Sequence, residues 1–292
     1  MVSLSFFSAT ITVTVDSGAS VSLQKDGTTI QTKPSTGTVV FTVTETGTYT
    51  IVATKNGQTT SGSVDVVSGT NSYALILSFL NGNFADNDWA SIIAACHSGS
   101  VPSTWVVGNS KTMTINGASY QVDIIGKNHD TYTAGGKAPL TFQLHDCYGE
   151  RKNMNSSNTN SGGWTSCAMR KTHLPAILSH MPTEVQNGIR EVNKLTSAGS
   201  NSSTITTSSD KLFLLSEIEI FGSRTYSKSG EGSQYAYYSA GNSKVKNFSG
   251  SASLWWERSP ASSTYFCGVT SSGSAYYYKA PSSYSVAFAF CF

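Results

Sequence analysis

The sequence predicts an α+β chain of two domains: a small all-β sandwich, then a larger domain of strands and helices. Three observations carry that reading. Residues 9–67 alternate apolar and polar, with turn residues between the runs. Residues 86–99 and 174–192 read as helices among strands. All five tryptophans, at 89, 105, 164, 255 and 256, lie in the second part, giving a domain of roughly 200 residues enough aromatic mass to bury a full core. A length of 292 residues fits two domains of ordinary size.

In the first part, Thr10-Ile11-Thr12-Val13-Thr14-Val15, Val40-Phe41-Thr42-Val43-Thr44 and Thr48-Tyr49-Thr50-Ile51-Val52-Ala53-Thr54 each put alternate side chains on one face. The breaks include Lys25-Asp26-Gly27 and Lys55-Asn56-Gly57, whose Asp-Gly and Asn-Gly pairs accept the positive φ of tight hairpins. The pattern resembles the immunoglobulin-like modules of bacterial surface and phage tail proteins. That resemblance implies a spacer over 1–70, able to meet other virion tail proteins, with no ligand site of its own.

Ser72 to Phe79 reads as an apolar strand at the entry to the second domain, 71–292. Asp86 or Asn87 caps a helix that Gly99 stops, with Trp89, Ile92, Ile93 and Cys96 on one face. Strands are expected at Thr104–Val107, Lys111–Ile115, Ser119–Ile125 and Ala138–Leu144, with Asn116-Gly117 as a hairpin turn. A second helix is expected from Leu174 to Val192, interrupted at Pro182. Ser197–Ser209 reads as an exposed loop and Lys211–Ile220 as a buried strand.

Composition narrows the function. Charged residues are 12% and the net charge is +2, too neutral for a nucleic-acid partner, which calls for a clustered basic patch. No apolar run is long enough for membrane insertion as a helix, and the first residues lack the basic and apolar regions of a signal peptide. Five widely spaced cysteines, 96, 147, 167, 267 and 291, support neither a zinc site nor a disulfide framework and read as buried small apolar groups. Asp86 and Asp88 lack the remaining ligands of a calcium loop, so no metal and no cofactor is expected. His145-Asp146-Cys147 brings catalytic residue types together, but neighbours in sequence point apart and triads are assembled in space. His129-Asp130 reads as a polar turn. Glu217 and Glu219, two apart on an apolar strand, read as structural ion-pair partners of Arg170 or Arg258. No catalytic residue is assigned, and the chain is not expected to be an enzyme.

The last third carries the positive signal. Leu254-Trp255-Trp256-Glu257-Arg258-Ser259-Pro260 is an anchor, with the tryptophans in the core and Arg258 paired to a carboxylate. The segment after Pro260 is built of Ser, Tyr, Ala, Gly and Thr, with Lys279 as its one charged side chain, and closes on the apolar run Val286–Phe292. Tyrosine offers contact area at small entropic cost while Ser and Gly offer adaptable hydrogen bonding, the physics of antibody paratopes. A binding surface results.

Several segments in order strengthen this: Trp105-Val106-Val107-Gly108, Ile124-Ile125-Gly126 with His129-Asp130, Met154-Asn155, Gly162-Gly163-Trp164-Thr165-Ser166-Cys167-Ala168-Met169-Arg170, Leu212 to Glu219, and Trp255-Trp256-Glu257-Arg258-Ser259-Pro260. They resemble an uncharacterised domain family of gut bacteria and their phages with a C-type-lectin-like fold. The resemblance implies an α+β C-type-lectin-like domain. It also implies kinship with variable proteins of diversity-generating retroelements, whose C-terminal codons are rewritten at adenines and whose known use is phage tropism. In that reading the segment 257–285 varies, and the ligand is bound by Ser262, Ser263, Tyr265, Ser271, Ser272, Ser274, Tyr276, Tyr277, Tyr278, Ser282 and Tyr284. Lys279 and Glu257 lie outside the reachable residue types and are expected to be constant. The closing strand here lacks the Arg-Pro of many relatives, and the absence of carboxylates after Glu257 leaves out a lectin-type calcium site. The implied function is recognition of a host or neighbouring cell's surface protein or glycan, on a virion tail or at a cell surface, as an oligomer or a single chain. The alternatives are an adhesin or carbohydrate-binding module with a fixed ligand and, behind it, an enzyme of the formylglycine-generating type.

Overall fold

A computed structural model describes residues 7–292. They form two compact units, one ending at Asn81 and the other running from Gly82 to Phe292. The first unit is a sandwich of seven strands: β1 (Ala9–Thr14), β2 (Ser20–Lys25), β3 (Thr28–Pro34), β4 (Thr38–Val43), β5 (Gly47–Lys55), β6 (Gln58–Val66) and β7 (Ser72–Ile76). The sheets run β4-β1-β7 and β3-β2-β5-β6. Alternation decides which side chains enter the core: Ile11, Val13 and Phe41 from one sheet meet Val21, Leu23 and Ile51 from the other. Asp26-Gly27 and Asn56-Gly57 take positive φ at both positions, as tight hairpins require. The expected boundary near residue 70 moves to Asn81/Gly82. Ser72–Ile76 is not the entry to the second domain, because it pairs in parallel with β1 and completes the first sheet.

The second unit begins with a short 3-10 turn, Phe84–Asp86, and α1 (Trp89–Ser98). Asp88, rather than Asp86 or Asn87, caps α1 by accepting the Ser91 amide at 2.6 Å, and Gly99 ends it in the left-handed region. β8 (Ser110–Ile115), β9 (Ala118–Lys127) and β10 (Leu140–Leu144) come next, with Asn116-Gly117 turning the β8–β9 hairpin. After them stand α2 (Gly163–Ser166), a π turn (Met169–His173), α3 (Leu174–Leu178) and α4 (Thr183–Gly188), then the hairpin β11 (Val192–Ser197) and β12 (Ile205–Asp210). β13 (Leu212–Phe213), α5 (Glu217–Phe221), α6 (Ala236–Ser239), β14 (Lys246–Phe248), β15 (Ser251–Ser253), β16 (Trp255–Pro260), β17 (Tyr265–Val269), β18 (Ala275–Lys279) and β19 (Ala289–Cys291) complete the chain. The largest sheet runs β13-β19-β10-β9-β8, and β16-β17-β18 form a separate one. Phe142 on β10 centres an aromatic core, with the rings of Phe84, Phe290 and Phe292 at 6.0, 5.4 and 5.3 Å.

The expected α+β, C-type-lectin-like class is overturned. Strand accounts for 40% of the described residues and helix for 15%, so the fold is all-β. Apart from α1, each α-helix has four to six residues. The expected helix from Leu174 to Val192 breaks into α3 and α4 because Pro182 removes an amide donor, and the backbone is already extended at Ile189. Ser197–Ser209, read as a loop for its Ser and Thr, instead supplies β12, since those residues suit a half-buried strand. Lys211–Ile220 is a two-residue strand and then α5. Ser216 caps α5 in a capping box with Glu219, so local capping wins over the apolar run. Thr104–Val107 is irregular rather than a strand; Asn109 Oδ1 accepts the Val106 amide there at 2.9 Å. Among the described residues, no helix is long and apolar enough to cross a membrane.

Candidate functional site

The site is built on the β16-β17-β18 sheet. All six residues of β16 are buried, so the anchor forms the floor. β17 pairs with β18 in the register Phe266↔Tyr278, Cys267↔Tyr277 and Gly268↔Tyr276. Gly268 is needed where it stands. A Cβ there would lie 2.8 Å from the Trp255 carbonyl oxygen and 3.3 Å from the Tyr278 ring.

Six tyrosines form a continuous aromatic face over this floor. Tyr276 and Tyr277 stack with centroids 5.0 Å apart and planes 3° from parallel. Tyr226 and Tyr265 meet Tyr277 at 4.9 and 5.2 Å. Tyr278 lies 5.3 Å from Tyr276 and 4.9 Å from Tyr284, and both Tyr278 and Tyr284 rest on buried Trp256. Tyr276 is 46% exposed. Among the described residues, none of the six phenol hydroxyls makes a hydrogen bond within the protein. Burial, with Tyr284 and Tyr276 nearby, pushes the Tyr278 phenol up to about 12, so it stays a protonated donor at neutral pH.

The residues expected to bind ligand are brought together in part. Tyr265, Tyr276, Tyr277, Tyr278 and Tyr284 share the aromatic face. Ser271, Ser272 and Ser274 are in the turn at one end of the β17–β18 hairpin, where Thr270 Oγ1 bonds Ser272 Oγ at 2.9 Å. Ser262 and Ser263 lie in the β16–β17 turn at the other end, held by Asn160, whose Nδ2 also donates to the Tyr265 carbonyl at 2.7 Å. Ser282 comes after β18, where its amide donates to the Lys279 carbonyl at 3.0 Å. The expected variable segment 257–285 is not exposed throughout: Glu257 to Ser259, Ala280 and Ser285 are fully buried. Tyr226 is the member that sequence reasoning missed. It lies outside that segment, and the Glu217 carboxylate, accepting the Tyr226 and Ser227 amides at 3.0 and 2.7 Å, ties down its loop.

Beneath the floor lies a buried ion network. Arg258 pairs with Glu219 through both terminal nitrogens and donates to the carbonyls of Leu214, Leu195 and Glu231. Lys194 bridges Glu219 at 2.8 Å and Asp130 at 2.7 Å, and Asp130 also accepts from Tyr235 and Thr141. Burial alone would raise the Asp130 and Glu219 carboxyls. The charges of Lys194, and for Glu219 chiefly Arg258, outweigh it and hold both below their ordinary range. The expected pairing of Arg258 with Glu217 or Glu219 is made to Glu219, while Arg170 pairs with Asp210 at 2.5 Å. Glu257 is different: it is fully buried and neither carboxylate oxygen has a partner. Burial first, then the charges of Glu217 and Glu231, push it well above its ordinary value, which favours the neutral acid.

The residues that resembled catalytic groups scatter. His145 Nδ1 pairs with Asp123 at 2.7 Å, Asp146 accepts the Asn247 amide, and Cys147 is buried with its thiol pushed up to about 11. His129 stacks on Tyr235 at 3.9 Å while Asp130 joins the ion network. All five cysteines are free and buried. Among the described residues, no three His, Cys, Asp or Glu side chains are grouped to hold a metal ion.

The fold and site define an all-β protein of two units, the second presenting a tyrosine face on a buried, charged floor. The chain belongs to the family described as domain of unknown function DUF6273, whose match spans residues 129–291 and contains β16 to β19. No curated protein matches the chain. Among solved structures, a DUF4876 family protein from Bacteroides thetaiotaomicron VPI-5482 is similar at 8% identity and a TM-score of 0.18, over 51% of this chain. The chain spans 34% of that protein's length, and the likeness is too slight to bear on the fold.

Proposed function

We propose that the protein recognises a ligand on the surface of a host or neighbouring cell, through the tyrosine face and the serine turns that flank it. The observation that carries this is the face itself: six rings in contact, with uncommitted hydroxyls, on a floor whose Arg258 is held from below by Glu219. Rigid aromatic area with free hydroxyls loses little entropy on binding. A catalytic reading has less support, because the Cys147 and Cys267 thiols are buried and pushed up rather than activated.

The setting we infer is a phage tail receptor-binding protein whose face is diversified by a retroelement, with the first unit as spacer or tail contact. In that reading exposed side chains such as Tyr276 are the ones that change, while buried Arg258 and Glu257 stay constant. The DNA downstream of the gene tests this. It is expected to hold a near-copy of the last hundred or so bases, differing at adenines, beside a reverse transcriptase gene. Without such a copy the diversification fails and a fixed adhesin takes its place. One observation favours that second reading: Tyr278 and Tyr284 pack on Trp256, so part of the face also serves the core.

A further inference from the structure

We propose that the ligand of this face is an uncharged oligosaccharide, bound without a metal ion by ring stacking on the tyrosines and by hydrogen bonds to their free hydroxyls. This rests on the recognition reading above and narrows it to one chemical class.

Charge comes first. From Ser259 to the last residue the chain carries one charged side chain, Lys279, and no carboxylate side chain. A cationic ligand group pressed onto such a face would lose water without gaining a counter-charge, and an anionic one would meet Lys279 alone on these strands, which weakens the binding of either. An uncharged ligand avoids this. Ring geometry comes second. Tyr276 presents an exposed ring, with Tyr277 stacked parallel to it and Tyr226 and Tyr278 set at 73° and 58° to it. The face of an aromatic ring is electron-rich and its edge electron-poor. The C–H groups on one side of a pyranose carry slight positive charge and lie flat against such a face. Hydroxyl chemistry comes third. The six phenol groups each have a donor and an acceptor free, and Ser263, Ser271 and Ser272 add exposed hydroxyls at the two ends of the hairpin. A ligand dense in hydroxyls satisfies such a face.

A protein partner fits less well. Protein interfaces are anchored by Trp, Tyr and Arg within a polar rim, and of these anchors the face offers tyrosine alone. Here Trp255, Trp256 and Arg258 are all fully buried, and Lys279 is the one ion on the strands above them. Metal-bridged sugar binding is disfavoured for the same reason: the carboxylates nearest the face, Glu217, Glu231 and Glu257, are buried below the floor.

The test uses the full chain on a printed array of uncharged and anionic oligosaccharides, with EDTA present. It is paired with binding to a panel of bacterial cells before and after periodate oxidation of their glycans. Wild type, Tyr276→Ala and Tyr276→Phe are compared, each checked for an unchanged melting temperature. Expected are binding to uncharged glycans in EDTA, about a tenfold loss for Tyr276→Ala and a smaller loss for Tyr276→Phe, which keeps the ring. Loss of cell binding after periodate is also expected. Binding confined to anionic glycans, or abolished by EDTA, overturns the proposal. Cell binding that needs Tyr276 but survives periodate, with the array blank, overturns the glycan and leaves recognition standing. If no cell and no glycan is bound, or if Tyr276→Ala binds as wild type does, both readings fall.

Discussion

Adjacent residues on β16 have opposite electrostatic fates. Arg258 is fully buried yet answered on every side, by Glu219 and by backbone carbonyls. Its removal leaves Glu219 with Lys194 as its one ionic partner and strips three carbonyls of a donor. Arg258→Ala is therefore expected to destabilise the second unit by about 3–5 kcal/mol in denaturant unfolding. Glu257, equally buried, has no partner, and its carboxyl is pushed well above its ordinary value. An acid whose folded pKa lies above its unfolded value contributes most at low pH, below about 4.5, and loses that contribution as pH rises toward the folded value. Glu257→Gln keeps the shape and removes the titration. The variant is expected to gain on wild type steadily as pH rises above 4.5, measured as unfolding free energy against pH. A flat difference would mean that the folded pKa of Glu257 is not raised.

Two pairings at the level of elements carry testable consequences. In the β17–β18 hairpin, Gly268 lets the Tyr278 ring close over the strand while Tyr276 stands exposed. Gly268→Ala must push against the Trp255 backbone and is expected to cost about 1–3 kcal/mol, whereas Tyr276→Ala changes unfolding stability by less than about 0.5 kcal/mol. Chemical denaturation of the two variants separates floor from face. His145, just after β10, is tied to Asp123 on β9. The hydrogen bond to Asp123, against partial burial, raises the His145 pKa above 6.5. The stabilisation is thus present below pH 6.5 and lost as pH rises through the folded value. With His145 side-chain exposure at 44%, solvent screens the pair and the effect on stability is small. Asp123→Asn is expected to lower the His145 pKa, tracked by NMR titration of the ring.

The whole molecule divides where β7 ends rather than where the composition shifts. Each unit has a core of its own: the first is aliphatic with Phe41 and Tyr49, and the second is centred on Phe142 and the tryptophans. A chain starting at Gly82 is therefore expected to fold by itself with a single cooperative melt, checked by calorimetry, and to keep whatever ligand binding the full chain has. A fragment starting at residue 71 would carry β7 without β1, leaving an unpaired apolar strand prone to association.

Local chemistry made some of this legible. The period-two runs of the first unit, its Asp-Gly and Asn-Gly turns, the helix closed by Gly99 and the buried Trp-Trp anchor all arise from the residues themselves, because alternation and turn geometry act over a few neighbours. The concentration of tyrosine and serine after Pro260 is likewise written in the sequence. Tertiary structure decided the rest. Parallel pairing of β7 with β1 joins residues far apart in the chain and moved the domain boundary. Pairing with β11 turned the Ser/Thr-rich 205–210 into a strand, which composition alone did not reveal. The capping box at Ser216 is by contrast local, a Ser-x-x-Glu spacing that the apolar run around it masked. Tyr226 joined the face by contact with Tyr276 and Tyr277, in a loop tied to Glu217 nine residues earlier in the chain. The sequence supplied the side chains of the face. Which of them meet, and which hydroxyls stay free for a ligand, depends on packing between distant segments, where no local rule reaches.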